Sequence, residues 1–451
     1  MPSLSLEKVW FFLSVVLLSF IYGFASHAWD LFPKSYVITA VNQAGRQLPA
    51  FLRGDESDEQ TSPRVYERSG ARQINPEATQ PGLTLITSAW RSEGEERLQP
   101  GARLIDARGR VLHEWVPERR GLFPDAYIES RDPMTAEFHG TQLLPNGDLL
   151  LALSYIGVVR LDACGTVQWT LSEGNHHSIT RAEDGTFWMA AVSEERQMGS
   201  EAYPDGYPGL EDSVWLDQLL QVADDGTVLQ EINVLDILYD NGLERYLRLA
   251  QGRSGYTLEN GDPVHLNDVE ALPGSMAEDY PLFEAGDLVV SLKHPNLVFV
   301  YDPDSGAVQW HADSAPNDTY HLIQHHDPDF MGDGWIGVFD NREDFTERGS
   351  MLGGSHIVAF QPHTDSMRVL FPTPLSDSIY TRNRGKWQYL DNGNLLITES
   401  NGGRVLEVTP EGETVWEWIQ EPYGDDRVPF VTAGTRHDLT ADDVAAWPCT
   451  E

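Results

Sequence analysis

Lysine, cysteine and positive charge are all scarce in this chain of 451 residues. The lysines are Lys8, Lys34, Lys293 and Lys386, and every other basic residue is an arginine. Against 31 basic residues stand 70 acidic ones, a formal net charge of −39. So acidic a surface repels phosphate backbones and anionic headgroups, which argues against nucleic acid and anionic lipid as partners. It suits a saline habitat, and equally a chain that is merely well solvated. The two cysteines, Cys164 and Cys449, lack metal-ligand spacing. A long-range disulfide outside the cytoplasm and two unpaired thiols both fit them.

The longest apolar run is VWFFLSVVLLSFIYGF at residues 9–24, preceded by Lys8. It reads as a signal-peptide core or a short membrane anchor. Ser26-His27-Ala28, followed at once by Trp29, is a mediocre cleavage site. The expectation is an uncleaved anchor over residues 1–29 with Lys8 inside, and an exported remainder, periplasmic or extracellular. Residues 30–81 form a lead-in, acidic, Arg-, Ser- and Pro-rich from 55 to 80 and without apolar periodicity.

From residue 82 to 420 one unit recurs. Its middle is a turn and an apolar strand: Pro145-Asn146-Gly147 before LLLAL, Glu183-Asp184-Gly185 before FWMAA, Gly332-Asp333-Gly334 before WIGVF, Asp391-Asn392-Gly393 before LLITES. Its end is a second hairpin, with a Trp four residues after the turn glycine at Gly165–Trp169, Gly306–Trp310 and Gly412–Trp416. Short strands, regular turns and a repeat of this length specify an all-β six-bladed propeller, with blades near 82–117, 138–172, 175–234, 265–312, 325–373 and 384–419. The first blade lacks a clear innermost strand. Residues 235–250 have helical spacing, and the tail at 421–451 offers a short helix capped by Thr440.

Aligning the blades on their turn glycines brings out a pattern. His139, His177 and His326 each precede a turn glycine by eight residues, and Gly385, beside Arg384, takes that place in the last blade. Blade four, with a longer turn, offers His265 and Asn267 on one face. The first strand of each blade lines the central channel, so these positions converge near its mouth. A lone histidine is usually a strand cap, but several at one phase form a cluster. Such a cluster binds metal, moves protons or supplies a nucleophile beside groups that hold an anion. Carboxylates to orient metal-ligating rings are limited to the adjacent Asp268 and Asp327. His139, His177, His265, Lys293, His294, His326 and Arg384 together make a locally basic patch suited to an anionic substrate.

Three motifs then carry a resemblance: HHSITRAEDG at 176–185, HLNDVEALP at 265–273 leading into GDLVVSLKHPNLVFVYDPDSGAVQW, and QHHDPDFMGDGWIGVFDN at 324–341. In this order the chain resembles the bacterial-type arylsulfate sulfotransferases and their wider arylsulfotransferase relatives. The resemblance implies a six-bladed propeller that moves a sulfuryl group from a phenolic sulfate ester to a phenol, with no cofactor and no metal. It implies a transiently sulfated nucleophile at His326, supporting histidines at His177 and His265, and an anion-holding residue at Lys293. The family has arginine at that last place; lysine substitutes a point charge for a planar fork. His139, Asn267, His294, His325 and Arg384 are the expected substrate-binding shell. His325 competes with His326 as nucleophile, and blade register favours His326. The rival readings are a metal- or cofactor-binding propeller and a non-catalytic binding propeller.

Overall fold

The computed structural model describes residues 10, 14, 17–20, 22, 60–91, 98–124, 126, 136–250, 261–313, 319–344 and 346–448. The chain divides into two compact units, Met1–Asp58 and Glu59–Glu451. In the first, Trp10, Ser14, residues 17–20 and Tyr22 are helical and exposed. The rest of the expected anchor lies outside the described residues. Among the described residues no helix is long and apolar enough to cross a membrane, so membrane attachment has no support in the structure.

The second unit is the six-bladed propeller, each blade an antiparallel sheet. Its innermost strands are Val431–His437, Phe138–Leu143, His176–Arg181, Leu266–Ala271, His326–Gly332 and Lys386–Tyr389. They touch one another in that order around a closed ring. The turn glycines act as the sequence requires. Gly147, for instance, has φ +86° and bonds back to the Leu144 carbonyl at 3.0 Å, a conformation that costs a residue with a side chain.

The core is not a single mass. It is six apolar clusters, one in each seam between neighbouring blades. Strand alternation explains how one strand serves two seams. In Leu149–Leu153, Leu149, Leu151 and Leu153 pack toward blade one, whereas Leu150 and Ala152 pack toward blade three. Both faces are buried, so the second strands read as unbroken apolar runs. The recurrent tryptophans fasten the seams from outside. Trp169 donates its indole N–H to the Asp224 carbonyl of the next blade at 3.0 Å, and Trp416 does the same to Ala107 at 2.8 Å.

Ring closure comes from both ends of this unit. Blade one receives its innermost strand, Val431–His437, from the C-terminal tail, paired with Leu83–Arg91. That is why no innermost strand precedes residue 83. The lead-in adds strand Gly70–Gln73 to the outer edge of blade six. There Arg68 forks onto buried Glu417 at 2.8 and 2.7 Å, and Arg404 reaches the same carboxylate. Between blades three and four lie helices Val234–Asp240, capped by Asn233, and Arg245–Ala250. Thr440 caps helix Ala441–Ala445 through a reciprocal bond with Asp443.

Candidate functional site

Five of the six innermost strands slip register as they enter the ring, at Thr432, His139-Gly140, His177-Ser178, Asn267 and Asp327-Pro328. Bulges re-aim side chains where a strand would otherwise send them to alternate faces. Left-handed backbone marks the same end of the propeller: Tyr155, His177, His265, Asn296, Gln324, Asp327, Arg342 and Arg384 all have φ between 51° and 65°. Each costs on the order of 1 kcal/mol or more, and such costs gather at functional sites. Space is tight there: a side chain at Gly140 would strike the His177 carbonyl, and one at Gly385 would strike the Phe339 ring.

The expected histidines do converge. The His177 ring centre lies 4.4 Å from His139, 5.0 Å from His265 and 6.3 Å from His326. His294 stacks at 4.7 Å from His265. Burial pushes His139, His177 and His326 well below the ordinary imidazole range, and nearby cations add to it at His139 (Arg384, Lys386) and His326 (Lys293). His265 is pushed down to about 4, burial outweighing the Asp262 carboxylate. The rings are therefore neutral at pH 7, and the positive charge of the patch comes from its lysine and arginine. Lys293 is buried and pushed down to about 8, by burial first, and its charge acts on His265, His294 and His326. Arg384 is paired with Glu137 at 2.5 Å and lies 4.2 Å over the Phe430 ring.

His326 is the most tightly specified ring. Asn341 Nδ2 donates to the carbonyls of Thr381 (2.9 Å) and Arg384 (2.6 Å), which turns its Oδ1 to His326 Nδ1 at 2.6 Å. The Gln324 carbonyl faces the same nitrogen at 3.1 Å. Two acceptors require Nδ1 to carry the proton, so Nε2 holds the lone pair. His325 stands apart. It is fully buried and bonded to Ser291 of blade four at 2.8 Å, and burial pushes it down to about 3. Asn267 holds that segment by donating to the His325 carbonyl at 2.6 Å.

Several participants escaped the sequence reading. Tyr155 stacks on His176 at 4.4 Å and meets His177 edge-on at 6.0 Å. His176 shares a 2.7 Å contact with His177 through their Nδ1 atoms. Asp262 accepts from His265 Nδ1 at 2.7 Å. Further along the innermost strands, Lys386 pairs with Asp268 at 3.0 Å and with Asp327. Trp387 also clamps Asp327 through its backbone N–H (2.7 Å) and indole (2.8 Å). A cue existed for the first of these. Tyr155, Asn296 and Arg342 all lie in loops between second and third strands. Among the described residues, Asp262, His265 and His294 are a group with metal-ligand chemistry, donor atoms within 4.8 Å of one another.

Fold and site together define a six-bladed propeller with a neutral histidine cluster and a buried cation at its mouth. The chain belongs to the arylsulfotransferase (ASST) family, whose pattern matches residues 140–421. No curated protein matches the chain. Solved structures similar to it include a protein of unknown function from Bacteroides caccae (12% identity, 75% of this chain and 94% of that one, TM-score 0.46). A catalytically inactive virginiamycin B lyase from Staphylococcus aureus, with quinupristin, is 13% identical over 63% of this chain and 71% of its own, TM-score 0.35. A streptogramin B lyase is 11% identical over 78% and 88%, TM-score 0.39. Likenesses this distant carry no argument about function.

Proposed function

We propose that this protein transfers a sulfuryl group from a phenolic sulfate ester to a phenol, with His326 as the nucleophile. The observation that carries the reading is the His326–Asn341 bond. It fixes the proton on Nδ1 in a ring kept neutral by burial. Nε2 then attacks sulfur, the S–O bond to the aryl oxygen breaks, and its electron pair leaves with the aryl oxide. The sulfated ring keeps its Nδ1 proton on Asn341. In the second half the acceptor phenol attacks sulfur, the N–S bond returns its pair to Nε2, and a neutral histidine beside it, His177 or His265, takes the phenolic proton. That proton passes to the departing aryl oxide of the next cycle.

Negative charge spreads over the peripheral sulfuryl oxygens in both transition states. Lys293 supplies the opposing fixed charge, and a cation placed there is worth about 10²–10³ in rate. His139 and His294 complete the polar wall, Asn267 sets the backbone of the His325-His326 segment, and Arg384 holds the Asn341 amide through its carbonyl. Release outside the cytoplasm fits the disulfide at Cys164; Cys449 lies outside the described residues.

The test is transfer from 4-nitrophenyl sulfate to phenol by wild type and His326→Ala, with mass analysis of acid-sensitive sulfation after donor alone. The expected result is ping-pong kinetics and a sulfated wild type, with activity down by at least about 10³-fold in the variant. Wild-type activity should persist below the ordinary imidazole range before falling in acid, because protonation of a ring with a lowered pKa comes late. A measurable activity indifferent to His326→Ala would end the assignment.

A further inference from the structure

Asp262 sits between two imidazoles that the propeller holds rigidly. One carboxylate oxygen accepts from His265 Nδ1 at 2.7 Å, and the other lies 3.7 Å from His294 Nδ1, which bonds the Asp262 backbone carbonyl at 2.9 Å. Backbone bonds fix all three residues. The His265 N–H donates to Asp262 Oδ1 at 3.0 Å, Lys293 N–H to the His265 carbonyl at 3.1 Å, and His294 N–H to Val264 at 3.2 Å. Tetrahedral zinc with bonds of about 2.0–2.2 Å spaces its ligand atoms roughly 3.3 Å apart, between the two separations seen here. Two imidazoles and one carboxylate select zinc, copper, nickel or cobalt over calcium and magnesium.

We infer that Asp262, His265 and His294 bind a divalent transition metal, and that occupancy shuts off the neighbouring transfer site. The metal replaces the proton shared by His265 and Asp262 and the one His294 Nδ1 gives to the Asp262 backbone carbonyl. The adjacent Lys293 charge opposes a dication, so the site loads at excess metal rather than holding one permanently. Ligation takes the His265 ring away from proton transfer. That shut-off rests on the sulfuryl-transfer reading, whereas metal binding itself does not.

The experiment titrates chelator-treated protein with Co²⁺, follows the visible ligand-field absorption, and then displaces cobalt with Zn²⁺. Wild type should take up one metal per chain with a four- or five-coordinate spectrum. Asp262→Asn and His294→Ala should each lose at least about tenfold in affinity, while His311→Ala, on the outer strand of blade four, binds as wild type does. Circular dichroism melts establish that each variant is folded. If the variants fail to fold, the wild-type spectrum still decides: an octahedral, weakly absorbing spectrum overturns the site, as does absence of binding or binding equal in all variants. The aryl-transfer assay is then run across the Zn²⁺ titration. Inhibition with the same midpoint as binding supports the shut-off, and full activity in loaded protein overturns it. A wild type without any transfer defeats the transfer reading and the shut-off with it, while absorption still reads the metal site.

Discussion

The innermost strands carry histidines at the mouth, those of blades four and five carry carboxylates a few residues further on, and burial acts on the two levels in opposite directions. At the mouth it drives His139, His177 and His326 toward neutrality. Further along, it raises Glu270 to about 8 and Asp329 well above the ordinary range. Both levels shed charge when water is withdrawn. A charge survives where a partner holds it. Lys386 keeps its proton through Asp268 and Asp327, against the pull of burial, and Asp262 stays ionised through His265 and His294, also against burial. The lesson is a division of labour: neutral rings provide reactive lone pairs, while the paired level holds three blades together.

The largest effect should come from breaking the paired level. Lys386→Met leaves Asp268 and Asp327 without their cation, and should cost about 3–5 kcal/mol of stability, read from urea midpoints. An unchanged midpoint would dissolve the distinction between the levels. Next, Asn341→Leu strikes the mouth. It leaves the buried carbonyls of Thr381 and Arg384 without their donor, which should cost about 1–3 kcal/mol of stability, and it should lower kcat by about 10–100-fold with little change in KM, since the His326 ring loses its orienting acceptor.

A smaller effect, about 1 kcal/mol, separates the two levels by pH. Across pH 6.5–8 the buried rings are already neutral, while unfolded histidines, with a pKa of about 6.5, give up their remaining protons, so histidine adds a rise in stability that fades toward pH 8. Glu270 keeps its proton in the folded state and has lost it in the unfolded one, so at this residue the unfolded chain binds fewer protons, and its contribution to stability falls as pH rises. Glu270→Gln removes only this falling contribution, so in urea titrations the variant should gain stability relative to wild type as pH rises across the window, the histidine contribution cancelling in the difference. Smallest is Glu114→Ala, which removes an exposed pair with Arg103. It should shift stability by less than about 0.5 kcal/mol, showing that charge matters here where water is excluded.

How much the sequence reveals follows from distance along the chain. Blades two to six are legible because each hairpin is local, its turn glycine and apolar strand lying within a dozen residues. The helix capped by Thr440 is legible for the same reason. Blade one is half hidden because its innermost strand pairs residues such as Val431 and Ser88, and no local pattern announces that. The histidine phase is visible as a register, but the bulges that converge the rings are not. Lys386 meets Asp268 across 118 positions, so the paired level is invisible until the ring closes. His325 shows the limit of spacing: its neighbour joins the cluster, and one residue away its ring turns to Ser291.

Closure by Val431–His437 also sets a clock. These residues follow every other blade strand in the chain, yet Thr432 bonds the Phe138 carbonyl beside His139 at 2.7 Å and Val431 fills the seam between blades six and one. A growing chain can assemble five blades and still own an open, half-finished mouth. Pairing strands so far apart in the chain is slow, and the ring around the histidine cluster closes only when that strand slides home. The mouth is thus finished only after every blade of the ring has been made.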